Sequence, residues 1–209
     1  MKCLKLIFCL LYLCCSLAEA KEVQVDAQKE VDEMTGRLVA SYLEAKVDED
    51  VIAGYATALR SDGSFPDLDY ITVHEGSFYP AGSHLKRLKS MAIAYRKPGN
   101  KYYNSGKLLK QIVAGIDYWY KVRPKSGNWW FGDIGAPQDY MVPLILLKGK
   151  ISEKKLLHYS SYLRDLTGNK GHKGKNRTWV SAVTIHKGCI EDNIELIRIG
   201  IKSIASTIK

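Results

Sequence analysis

Cysteine is nearly missing from the part of this 209-residue chain that would fold. Cys3, Cys9, Cys14 and Cys15 stand at the extreme amino terminus, and Cys189 alone follows. A single thiol closes no internal disulfide and builds no thiolate metal cluster, so stability has to come from apolar packing. Long apolar runs are equally scarce. The run LIFCLLYLCC near the start is too short for a membrane-spanning helix, and no later stretch approaches the roughly 20 apolar residues that spanning requires. Strand signals are thin: only Tyr70 to His74 reads as extended, between SDGSFPD and EGS. The chain has no HExxH, no Walker loop, no GxGxxG and no GxSxG. His74, His84, His158, His172 and His186 are scattered, without metal-ligand spacing, so neither a metal nor a cofactor is expected.

What is present begins with an export signal. Lys2 and Lys5 precede the apolar run, and Ala18-Glu19-Ala20 forms a small-x-small cleavage site, so residues 1–20 read as a signal peptide and the mature chain as starting at Lys21. Secretion or periplasmic delivery follows. Tyr12 and Leu13 are bulkier than the residues that usually precede a lipidated cysteine, which argues against a lipid anchor at Cys14 or Cys15. The formal charge of +9 drops by one when Lys2, Lys5 and Glu19 are removed, and the remainder is still basic. An excess of positive charge favours polyanions. For an exported protein an acidic polysaccharide is a better partner than nucleic acid or anionic lipid.

Apolar residues recur at helical spacing almost throughout. Val23 to Ala45 and Asp48 to Arg60 read as a long and a short helix. Leu85, Leu88, Met91, Ala92 and Tyr95 mark another, and Leu108, Leu109, Ile112, Ile116 and Tyr120 a fourth. Leu156, Leu157, Tyr162, Leu163 and Leu166 predict a helix opened at Ser152 and stopped at Gly168. Ile190, Ile194, Ile197, Ile201, Ile204 and Ile208 predict a last one, with Glu191 and Asp192 in its first turn. The fold class is therefore all-α, built of helical hairpins; a bundle and a curved hairpin array both fit. GNKGHKGK at 168–175 reads as a mobile, positive loop suited to oxyanions.

SGNWWFGDIGAPQDY, residues 126–140, carries the chemistry. Adjacent side chains diverge by about 100° on a helix and point to opposite faces of a strand, so Trp129 and Trp130 do not readily share one core pocket. Two indoles in a glycine-flanked loop suit a platform that stacks on pyranose C–H faces, with Asn128 beside them able to donate to and accept from hydroxyls. Asp67, Asp69 and Asp133 are the carboxylates that a glycoside hydrolase would need, but Asp67 and Asp69 lie in a turn-rich stretch where aspartates bind backbone amides.

SDGSFPDLDY at 61–70, YPAGSHLKRLKSMAIAY at 79–95, NWWFGDIGAPQ at 128–138 and GKNRTW at 174–179 occur in an order that resembles polysaccharide lyase family 8, the chondroitin AC, hyaluronate and xanthan lyases. The resemblance implies that residues 21–209 form the amino-terminal portion of an α/α toroid, an incomplete one. It also implies β-elimination on uronic-acid polysaccharides. In that chemistry an asparagine neutralises the uronate carboxylate so that the C5 proton can leave, and Asn176 matches it. Trp129 and Trp130 match the family's aromatic patch and Asn128 a polar substrate contact. The segment that supplies a catalytic histidine and tyrosine follows the last helix of this chain in the family pattern, so the chain alone is expected to bind rather than turn over. Isoleucines of the last helix, lacking the next hairpin, are expected to face water and favour self-association. A non-catalytic polysaccharide-binding module is the alternative, with a toroid glycoside hydrolase behind it.

Overall fold

The computed structural model describes residues 25–166 and 171–207. The leader expected at 1–20, Ile208 and residues 168–170 of the glycine-lysine segment lie outside the described residues. Among the described residues there is no strand, and no helix is long and apolar enough to cross a membrane.

Helix α1 covers residues 25–43 and α2 Glu49–Ala58. Asp48 caps α2 by accepting from the amides of Asp50 and Val51, and Glu49 and Asp50 add negative charge where the helix dipole favours it. Helices α3 (Gly82–Arg96) and α4 (Gly106–Val122) follow, α4 capped by Ser105, which accepts from Leu108. A five-residue π-helical segment, Phe131–Gly135, leads into α5 (Ala136–Leu147). Then come α6 (Glu153–Ser160), α7 (Gly174–Ile190) and α8 (Ile194–Ala205).

Helix α5 is the centre of the molecule. Its residues from Tyr140 to Leu147 are all buried, and it packs on α3 and α7. A helix that is apolar all round must be enclosed by others, and α3, α6 and α7 supply the cover. Around it Leu85, Leu88, Met91, Ile112, Ile116 and Trp119 complete a core with essentially no solvent access. Paired antiparallel neighbours such as α7 and α8 give the predicted hairpin arrangement.

SDGSFPDLDY is the strut that fixes α3 against α4. Gly63 adopts φ +89, and a Cβ there would lie 2.1 Å from the Ala114 carbonyl oxygen of α4, so the turn touches helix backbone directly. Asp62 accepts from both the amide and the hydroxyl of Ser64. The Phe65 amide donates to the Tyr70 hydroxyl at 2.9 Å, Tyr70 donates to His84 Nδ1 at 2.9 Å, and His84 Nε2–H donates to the Gly115 carbonyl at 2.9 Å. Each polar atom of this buried relay has a partner, so the histidine is held neutral in one tautomer.

Three expectations change. Tyr70–His74 is not extended strand: Asp69 accepts from Ile71 and Thr72, which folds the segment into an Asx turn. Helix α6 ends at Ser160, short of Tyr162, Leu163 and Leu166. The hydroxyls of Ser160 and Ser161 bond the carbonyls of Leu157 and His158, competing with a further helical turn, although Leu163 remains buried. The isoleucine stripe is split, because Ile190 closes α7. Asp192 then takes φ 52, and Asn193 caps α8 by accepting from Glu195 and Leu196. Glu191 and Asp192 are thus in the turn before α8. Nor is the stripe bare: Ile197 is buried, Ile194 and Ile204 pack on the core, and the exposed isoleucines of α8 are Ile201 from the stripe and Ile199 beside it.

Candidate functional site

The tryptophan pair begins a helix rather than lying in a loop. Asn128 causes this. Its side-chain oxygen accepts from the Trp130 amide at 3.0 Å, meeting one of the unpaired N–H groups that any helix start presents. Its Nδ2 donates to the Gly76 carbonyl at 2.9 Å, and the Gly127 amide donates to the His74 carbonyl at 3.0 Å. The loop around 74–76 is thereby fastened to the platform. Residues 129 and 130 are helical, and the π-helical turn follows at once, closed by the Ala136 amide donating to the Phe131 carbonyl. Single π turns often occur at functional sites.

The two rings have different surroundings, as the divergence of neighbouring side chains requires. Trp129 is 54% exposed, and its ring stacks on His172 with centroids 5.4 Å apart and planes 16° from parallel. Trp130 is partly buried and meets Trp179 of α7 edge-on at 5.5 Å and 79°. A Cβ at Gly135 would lie 2.6 Å from the Trp130 ring, so a larger residue there would push the indole aside. Lys175 sits with Nζ 4.9 Å from the Trp179 ring centroid, a cation–π contact.

Asn176 stands in the first turn of α7, partly buried, with no hydrogen-bond partner among the described residues. Along the chain it falls between His172, which touches Trp129, and Trp179, which touches Trp130. Positions three apart are neighbours on a helix surface, so Asn176 lies one turn before Trp179, whose ring meets Trp130. The four residues singled out from the sequence thus belong to two adjoining helix starts. Beside them a cleft of about 150 Å³ is walled by Tyr79, Trp130 and Phe131, with Lys86, Gln138 and Asp139 at its polar edge.

In the sequence Trp179 falls within GKNRTW and His172 within the glycine-lysine segment, and the pattern assigns a role to neither. Both are ring partners of the platform. Trp179 was findable as the third indole of the quoted motifs, whereas nothing in the sequence pairs His172 with Trp129.

The carboxylates of the hydrolase reading are all engaged elsewhere. Arg87 donates to both oxygens of Asp67, at 2.8 and 2.5 Å, and holds that carboxyl below the usual range. Asp69 is lowered further by its bonds to Thr72 and Ile71. Asp133 accepts from Arg164 at 3.0 Å. Carboxyls held ionised in this way, as Asp67 and Asp69 are, cannot serve as the proton donor that glycoside hydrolysis requires. His186 is a core residue, with Nδ1–H donating to the Ala182 carbonyl at 2.7 Å and Nε2 accepting from Tyr42 at 2.8 Å. Tyr42 and Tyr70 are pushed up to about 12 by burial, so neither is a base near neutral pH.

Comparison with known proteins identifies the family and the fold. Residues 37–209 match the N-terminal α-helical domain of polysaccharide lyase family 8. Chondroitinase-AC of Pedobacter heparinus is 29% identical over 148 residues, which cover 70% of this chain and 21% of that protein. Hyaluronate lyase HylB of Enterococcus faecalis is 30% identical over 112 residues, 48% of this chain and 11% of that one. A solved chondroitinase AC lyase, studied as oligosaccharide complexes, superposes with a TM-score of 0.77 at 24% identity over 86% of this chain and 27% of its own. The chain therefore spans about a fifth of the chondroitinase it matches, and its helical hairpins have the fold of the corresponding part of an α/α toroid.

Proposed function

Because the chain belongs to polysaccharide lyase family 8, through that family's N-terminal α-helical domain, we propose that it forms one wall of a cleft for uronic-acid glycosaminoglycans of the chondroitin or hyaluronan type in an exported lyase. The supporting observation is the half-exposed Trp129 ring, seated on His172 in the same neighbourhood as the first turn of α7. A pyranose C–H face stacks on the indole, Trp130 backs it, and Asn128 offers the N–H that Gly76 does not use. Asn176 donates to the uronate carboxylate. Removing charge from that group lowers the barrier to losing the C5 proton, because the enolate-like transition state no longer carries a second full negative charge beside it. The C4–O bond then breaks and leaves an unsaturated uronate.

Proton transfer needs a base and an acid, and none of the four buried groups described above supplies either. His84 and His186 are sealed in the core, and Tyr42 and Tyr70 are too weakly acidic to ionise. In this reading the chain on its own binds substrate without turning it over. Trp129→Ala should weaken retention on immobilised chondroitin or hyaluronan about tenfold, the equivalent of about 1.4 kcal/mol of lost stacking. Retention should also fall as salt rises. Unchanged retention of the variant would contradict the platform, and an unsaturated product formed by the isolated chain would contradict the division of labour. Basic groups around the platform favour polysaccharide binding as the residual activity, while the engaged aspartates disfavour the hydrolase.

A further inference from the structure

A second concavity, of about 370 Å³, opens beyond the tryptophan turn, bordered by Arg123, Lys125, Ser126, Asp133, Ser161 and Arg164. Three cations from two separate stretches of chain face one carboxylate there. Asp133 is paired with Arg164, while neither Arg123 nor Lys125 forms a salt bridge among the described residues.

Arg123 is the informative residue. It ends α4 at φ 47, ψ 62, in the left-handed region where glycine or asparagine is the ordinary choice. An arginine there costs about 1 kcal/mol of backbone strain. Its side chain is nonetheless fixed. Nε donates to the Tyr120 carbonyl at 3.1 Å, and the guanidinium lies 4.6 Å from the Tyr120 ring and 6.0 Å from that of Tyr162. Held by one nitrogen and stacked on a ring, the group keeps its two terminal nitrogens for an external acceptor. Strained residues cluster at ligand clamps, and this one lines a cleft.

We propose that this concavity holds a sulfate ester on a polysaccharide strand that lies across Trp129, an inference that rests on the platform reading above. A planar carboxylate is satisfied by a single guanidinium fork, whereas a tetrahedral sulfate accepts from several directions, as cations placed at the end of α4, at Lys125 and in the α6–α7 connection would donate. Ser126 places the pocket only three residues before the platform.

The test compares retention of chondroitin 4-sulfate and chemically desulfated chondroitin by the full chain and three variants. The full chain should prefer the sulfated polymer about tenfold. Arg123→Gly relieves the backbone, so its melting temperature should not fall, and the preference should drop to near one with desulfated binding unchanged. Lys110→Gln removes a charge from the exposed side of α4 and should leave the preference intact. Trp129→Ala should weaken both polymers alike. A preference that survives Arg123→Gly, one that is absent from the full chain, or a loss shared equally by both polymers overturns the sulfate site; the platform reading stands in those cases if Trp129→Ala still weakens binding. Retention of neither polymer overturns both.

Discussion

Gly63→Ala should cost roughly 3–5 kcal/mol and lower the melting temperature by about 10–15 °C, the scale of the rare severe single substitutions. Two effects add. The residue sits at φ +89, and the new Cβ would come 2.1 Å from the Ala114 oxygen and 2.5 Å from its carbonyl carbon. No rotamer relieves this, because the obstacle is the backbone of α4, so either the 61–70 turn lifts away or the helix moves. Lifting the turn would also pull Tyr70 from His84 and leave the Gly115 carbonyl side of the relay without its anchor. Gly149→Ala provides the comparison. That residue also has positive φ, at +70, but nothing lies within 4 Å of its Cβ position, so only the conformational cost of about 1 kcal/mol applies. Thermal denaturation of the two variants separates contact from conformation; equal losses would remove the contact from the explanation.

The second large effect is acid lability set by His84 and His186. Burial lowers both, to about 4 from the ordinary 6.5. Above pH 6.5 each is neutral in the folded and unfolded chain, and neither makes stability depend on pH. Between 6.5 and about 4 the unfolded chain binds two protons that the folded chain refuses, so stability falls as pH falls, by about 2.7 kcal/mol per unit when both act. The urea midpoint should hold steady from pH 8 to 7 and then drop steeply toward pH 4.5. Asp62 and Asp67, whose folded values are lowered, add to the loss only below their ordinary 3.8. His186→Gln should halve the slope between pH 6 and 5 whatever it costs at pH 7.5. A slope that the substitution leaves unchanged would show that other groups carry the titration.

Much of this architecture is legible in the sequence where one helix face is apolar and the other polar, as in α3 and α4. The central helix is not, because a helix enclosed on every side shows no periodicity; MVPLILL reads as an apolar run and no more. The split of the isoleucine stripe is invisible to spacing alone, since Ile190 and Ile194 keep step across a turn whose real signature is Asp192-Asn193. At the proposed site, the paired indoles and the asparagine beside them could be picked out directly, because together they are chemically conspicuous. Their helical setting could not, because Asn128 acts through one hydrogen bond to its own neighbour and one to Gly76, 52 residues away. SDGSFPDLDY was recognisable as a motif and as a turn, but its work is done through the three-bond relay to Gly115, whose partners are far apart in the chain and meet only in the folded molecule.

The π-helical turn at Phe131–Gly135 sets the phase of everything before it. Its i to i+5 closure accommodates one residue more than an α-helical turn would, so shortening the chain by Gly132, which is exposed, would let a regular helix run on from α5. Both indoles would then swing around the helix axis by about 100°, the angle between successive residues. The core, anchored from Ala136 onward, would keep its packing, while the ring that now rests on His172 would point elsewhere: a folded protein with its exposed indole turned away.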